Sequence, residues 1–204
     1  MKISLTILAV FAVGVAVGWS GLVPDAVPKA EPALVALYVL VFLVGVGIGG
    51  SGKAAEVLRT INFRMVLVPL SVMAGTFLGV AALALAAPSI GLRDSLAAAA
   101  GFGYYSLSSV IIMNLDGERL AAVALLANIF REVVTLVTAP VLAARLFRLA
   151  PVSLGGATTM DTTLPIVTRF AGKEYAMICV FSGIVLTLSV PLLVPLILSF
   201  GGVR

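Results

Sequence analysis

Residues 126–142 read Leu-Ala-Asn-Ile-Phe-Arg-Glu-Val-Val-Thr-Leu-Val-Thr-Ala-Pro-Val-Leu. They form the heart of an apolar run over 120–143, and a membrane helix needs roughly 17–25 mostly apolar residues. Three polar residues, Asn128, Arg131 and Glu132, stand in its middle. Glu132 falls about 18 Å along the helix from its start at 1.5 Å per residue. A carboxylate at that depth is costly unless it faces water, a partner or protein. Asn128 lies four residues earlier on the same helical face. Arg131 is adjacent in sequence and points about 100° away, so it cannot simply neutralise Glu132 along one row.

Composition agrees with a lipid environment. The chain has 204 residues, of which 61% are hydrophobic and 11% charged. A soluble domain carries about 25% charged residues. The net charge of +4 resides in short connectors between apolar runs, a pattern that sets membrane orientation rather than nucleic-acid binding. There is no histidine and one cysteine, Cys179. That excludes an internal disulfide and removes the usual ligands for zinc and haem, so no metal or cofactor is expected. An enzyme is not expected either, since no serine–histidine or metal pair exists and paired aspartates at depth are missing.

Working outward, residues 3–19, 33–49, 65–87, 120–143 and 175–200 are long and apolar enough to span. The first is too long for a signal-peptide apolar region and reads as a retained span. Glycines 14, 18, 45, 47 and 49 suit helix packing, and Trp19 and Tyr38 suit membrane interfaces. Residues 95–113 are also long enough, but their centre reads Gly-Phe-Gly-Tyr-Tyr-Ser-Leu-Ser-Ser (101–109). Residues 155–165, Gly-Gly-Ala-Thr-Thr-Met-Asp-Thr-Thr-Leu-Pro, are poor helix material.

Charge orders these pieces. The connector over 50–64 is basic, which places it and the N-terminus in the cytoplasm. Arg145, Arg148, Arg169 and Lys173 flank the Gly/Thr segment on both sides. The positive-inside rule puts both flanks in the cytoplasm, so that segment enters and leaves from one face. Both Arg flanks stay inside only if 95–113 dips in from the outside and returns. The expected fold is an all-α polytopic membrane protein with about five full spans and two oppositely oriented re-entrant segments. Seven full spans are the alternative. A single transmembrane transporter domain over 1–204 is expected in the inner membrane of a prokaryote.

Candidate ligands follow from the breaks. Irregular backbone at membrane depth is tolerated where it lines a cavity or is buried in protein. Gly101, Gly103, Gly155, Gly156 and Pro165 are the expected breaks. Asp161 sits among Thr158, Thr159, Thr162 and Thr163, while Tyr105, Ser106 and Ser108 offer hydroxyls in the other segment. With Glu132, Asn128 and Arg131 they make the expected site. The glycine–tyrosine run leaves a channel-like pore as a rival reading, and a plain cytoplasmic loop is the bland reading of 155–165.

Four motifs together, GFGYYSLSS (101–109), LANIFREVVTLVTAPVL (126–142), GATTMDTTLPIVTR (156–169) and FSGIVLTLSVPLLVP (181–195), resemble the LysO family of lysine exporters, also called DUF340. They cover about half of the chain in the family's order. The resemblance implies export of L-lysine, and of lysine analogues, coupled to inward proton flow. It implies that Glu132 is an essential intramembrane carboxylate. Longer members carry additional N-terminal membrane segments, one with a further acidic residue. A short form is therefore expected to work as a homodimer, with a separate membrane subunit, or as a non-autonomous part of a larger transporter.

Overall fold

The computed structural model describes residues 62–86 and 91–200, together with isolated positions between 13 and 50. The expected spans over 3–19 and 33–49, and the connector after them, therefore lie outside the described residues except at single positions. Contacts divide the chain into two units, 1–38 and 39–204.

Every regular element among the described residues is helical. In order they are α1 (Phe63–Ala86), α2 (Leu92–Ala99), α3 (Tyr105–Asp116), α4 (Glu118–Arg145), α5 (Ala150–Gly155), a 3₁₀ turn (Gly156–Met160), α6 (Leu164–Ala171), a short 3₁₀ turn (Lys173–Tyr175) and α7 (Ala176–Ser199). Three segments are long and apolar enough to cross a membrane: Met65–Ala86, Glu118–Arg145 and Lys173–Ser199. At 1.5 Å per residue each exceeds the roughly 30 Å hydrocarbon core. α7 carries Pro191 and Pro195 in its interior and α1 carries Pro69. Such breaks are tolerated in membrane helices because neighbours re-satisfy the freed backbone groups.

Between the spans lie two helix–break–helix hairpins. Arg93, in the first turn of α2, meets Asp116, the last residue of α3, at 2.7 Å. The chain thus enters and leaves at one end. Arg93 also donates to the Leu198 carbonyl at 2.8 and 3.1 Å, which brings the end of α7 to the same place. At the opposite end Arg148, just before α5, pairs with Glu174, just before α7, at 3.2 Å. Residues 92–116 and 148–174 are therefore re-entrant from opposite ends, as the charge pattern predicts.

The hairpins fill the space between the spans. α4 packs on α2, α3, α5 and α6, and α7 packs on α1, α2, α3 and the 3₁₀ turn, while α4 and α7 barely touch. Two apolar clusters surround hairpin 2, the first touching it only through Leu164. One joins Met65 of α1 to Val180 and Phe181 of α7. The other joins Val152, Val167, Ala171 and Cys179. Gly183 lets α7 lie close against the 3₁₀ turn, since a Cβ there would stand 2.6 Å from Met160 Cβ and 2.8 Å from the Ala157 carbonyl.

The arrangement predicts labelling sidedness. In a Cys179→Ser background, Leu92→Cys and Leu115→Cys should react with an impermeant maleimide from one face. Phe147→Cys and Lys173→Cys should react from the other. Labelling of positions 92 and 115 from opposite faces would restore the seven-span topology.

Candidate functional site

The two hairpin tips meet. Ala157 N–H donates to the Phe102 carbonyl at 2.8 Å. To turn back there, hairpin 1 takes left-handed conformations at Phe102 (φ 48°) and Gly103 (φ 100°), and hairpin 2 does so at Gly156 (φ 61°). A side chain at 156 would collide with the Phe102 carbonyl, and one at 101 would stand 2.5 Å from Ser108 Oγ and 2.7 Å from Asn128 Nδ2. The expected breaks at Gly101, Gly103, Gly155 and Gly156 are thus positions where the chain has no room for a Cβ or needs positive φ. Pro165 is different, because it sits in the first turn of α6 and starts a helix.

Side chains of α4 hold the ends of the broken helices. Asn128, buried, accepts from Gly103 N–H at 2.7 Å and donates to the Ala98 and Ala124 carbonyls at 2.9 and 2.8 Å. Arg131 donates through Nε to the Leu154 carbonyl at 2.7 Å and through Nη2 to that of Ser153 at 3.1 Å, with Nη1 3.5 Å from Thr76 Oγ1 on α1. A cation belongs at the negative, C-terminal end of a helix, and Arg131 occupies that position on α5. It pairs with neither Glu132 nor Asp161.

The threonines and serines split into two groups. Thr159 is buried and donates to the Gly156 and Cys179 carbonyls, and Thr163 lies 3.2 Å from Thr158 Oγ1. Ser108 is buried against the Tyr104 carbonyl. Thr159 and Ser108, like Asn128 and Arg131, brace the backbone, and so does Thr158, whose buried hydroxyl donates to the Gly155 carbonyl at 3.0 Å and meets that of Thr163. The others face a cavity of about 100 Å³ between the tips. Hairpin 1 contributes Gly103, Tyr104, Tyr105 and Ser106, and hairpin 2 contributes Ala157, Thr158, Met160, Asp161 and Thr162. α4 contributes Glu132.

Two carboxylates therefore share one space. Asp161 follows the 3₁₀ turn and accepts the Thr162 N–H at 2.6 Å. Glu132, half-buried, has no hydrogen bond or ion pair among the described residues. The described ion pairs lie at the hairpin mouths, away from both. The cavity offers two carboxylates, tyrosine, serine and threonine oxygens, and the first turn of α3 at Tyr105 and Ser106, where the Tyr105 N–H is taken by the Gly103 carbonyl at 3.0 Å. No His/Cys/Asp/Glu cluster of metal-site size exists among the described residues. Sequence reasoning passed over Tyr104 and Met160, which line the cavity, and the mouth pairs Arg93–Asp116 and Arg148–Glu174. Tyr104 was legible as the neighbour of a break glycine, whereas the ion pairs join residues too far apart in sequence to be paired by inspection.

A family model described as "Lysine exporter LysO" matches residues 8–198. The chain belongs to the LysO lysine exporter family. A relative named lysine exporter LysO, from Escherichia coli K12, is 31% identical over 195 residues, covering 94% of this chain and 62% of that protein. A Haemophilus influenzae relative, provisionally named a lysine exporter, is 30% identical over 198 residues, covering 95% of this chain and 97% of its own length. The chain thus spans under two thirds of the Escherichia coli relative and nearly all of the Haemophilus one. No solved structure matches it. The helical fold with three membrane-length helices fits a membrane protein of an exporter family.

The bracing role of Asn128 is measurable. Asn128→Leu leaves the Gly103 N–H without its partner and the Ala98 carbonyl with only the Gly101 N–H at 3.4 Å, and should cost about 1–3 kcal/mol for the orphaned N–H. Its thermal midpoint in detergent should fall clearly, as should that of Arg131→Lys, while Thr162→Val at the cavity edge should melt like the parent.

Proposed function

We propose that this chain exports L-lysine across the bacterial inner membrane in exchange for protons, with Glu132 and Asp161 as the shared cation site. One observation carries the reading: carboxylates from two different elements line one cavity, and no described basic side chain neutralises either. Lysine brings two ammonium groups and one carboxylate. The ammonium groups suit Glu132 and Asp161, with the hydroxyls of Tyr105, Ser106 and Thr162 as neutral ligands, while that of Thr158 is held by the Gly155 carbonyl and Thr163. The lysine carboxylate suits the first turn of α3, because helix N-termini in broken transporter helices favour anions. Arg131 is the poorer choice, since its donors are occupied by the Ser153 and Leu154 carbonyls.

Coupling needs no further device. A carboxylate that holds a proton has no charge left for an ammonium group, so proton and lysine compete for Glu132. Loading from one face and release to the other then exchanges the two. The end that carries Arg145, Arg148, Arg169 and Lys173 is the cytoplasmic one by the positive-inside rule. The end with Arg93, Asp94, Asp116, Glu118 and Arg119 faces outward. The names of the relatives support lysine as cargo, and the bracing of both tips supports a gated site over an open pore.

Loss of one charged partner in such a site corresponds to about 1.5–3 kcal/mol, or roughly ten- to a hundred-fold. Glu132→Gln in proteoliposomes should lower lysine efflux by that order and flatten its dependence on the pH gradient. Asp161→Asn should weaken lysine binding by a similar factor. Wild-type rate and pH dependence in Glu132→Gln would remove Glu132 from the coupling step.

A further inference from the structure

Shifting the chain by 55 positions, 102 onto 157, lays hairpin 1 and α4 on hairpin 2 and α7. The junctions between hairpin and span then coincide. α3 closes at Asp116 and α6 at Ala171, while α4 opens at Glu118 and the turn ahead of α7 at Lys173. Gly117 and Gly172 fall on each other, and both take positive φ, 95° and 122°, at the joint between hairpin and span. Pro140 and Pro195 fall on each other inside the spans. So do Arg93 and Arg148, each of which closes the mouth of its own hairpin with an ion pair.

The tips supply the decisive contact. Phe102 and Ala157 are equivalent under the shift, and they are the two residues joined by the tip-to-tip hydrogen bond. A contact between equivalent positions is what a two-fold axis leaves where it passes through a structure. The hairpins enter from opposite ends, so this axis lies in the plane of the membrane, as in inverted-topology repeats. The cavity straddles it, with Gly103, Tyr105 and Ser106 on one side standing for Thr158, Met160 and Asp161 on the other. Charge breaks the symmetry. Asp161 is matched by Ser106, and Glu132 by Thr187, whose hydroxyl lies 3.8 Å from the Met160 sulfur. The second break is also longer, because α6 starts only at Leu164 whereas α3 starts at Tyr105.

We infer that residues 92–145 and 147–200 form an inverted repeat whose axis crosses the cavity, and that the two hairpins are opposed gates, each closing access from its own end. Near-equivalent halves give two states of similar energy, related by exchange of conformation between the hairpins. A bound cation then needs only a modest differential affinity to bias them.

Two measurements test this. The chain has no native histidine, so zinc bridges can be placed at will. In a Cys179→Ser background with Ser106→Cys as the probe, zinc added to Arg93→His/Asp116→His should confine thiol labelling to the basic face. Zinc added to Arg148→His/Glu174→His should confine it to the acidic face. Bridges that leave the same face open, or change nothing, overturn the gates, and this arm does not depend on what is transported. The second arm rests on the lysine reading. Asp161→Ser should lower lysine efflux about tenfold or more, and adding Ser106→Asp should recover most of it. A silent Asp161→Ser would sink the assignment of Asp161 while leaving the zinc result to decide the repeat. A loss that Ser106→Asp fails to recover, in protein that melts like the parent, would overturn the mirrored cavity.

Discussion

In hydrocarbon every backbone N–H and C=O needs a partner, and a broken helix leaves several of them open. The rest of this structure follows from how two such breaks are closed. The tips bond to each other through Ala157 and Phe102. Asn128 completes the first break, and Arg131 holds the carbonyl end of α5 at the second. All of these partners come from α4 or from the opposite tip. The breaks are buried between α4 and α7, which is why those two helices barely touch.

That constraint separates scaffold from working groups. The polar residues nearest the breaks, Asn128, Arg131, Thr159 and Thr163, are spent on backbone and hydroxyl partners. Glu132, one residue beyond Arg131, lines the cavity instead. Adjacent residues on a helix diverge by about 100°, so one turn of α4 serves both purposes. The carboxylates of the site stay without a basic partner because Arg131 faces the α5 terminus. A pocket that is acidic, rimmed by hydroxyls and set between two hairpin tips suits a cationic amino acid.

Much of this was legible in the sequence. Glu132 stood out because a carboxylate inside an apolar run is too costly to sit there without a partner or a task. The basic flanks of 155–165 gave the re-entrant topology. The glycines marked the tips because positive φ and lack of room suit few other residues. The division of labour was not legible. Asn128 and Arg131 read as ligands because their acceptors, on Ala98 and Ser153, are carbonyls that sequence does not display. Arg93–Asp116 and Arg148–Glu174 join residues 23 and 26 positions apart. The repeat was hidden for a related reason: what recurs after 55 positions is conformation at Gly117 and Gly172 and contact at Phe102 and Ala157, while most side chains between them differ.

The proposed exchange of lysine for protons at one acidic cavity is open to direct observation. Its most direct test uses the purified chain alone in proteoliposomes, loaded with labelled lysine and a pH-sensitive dye, with no imposed pH difference. Lysine leaving the vesicles should draw protons inward, building a pH gradient that collapses when the lysine gradient is spent. Lysine efflux with no proton movement, or no lysine movement from correctly folded protein, would contradict it.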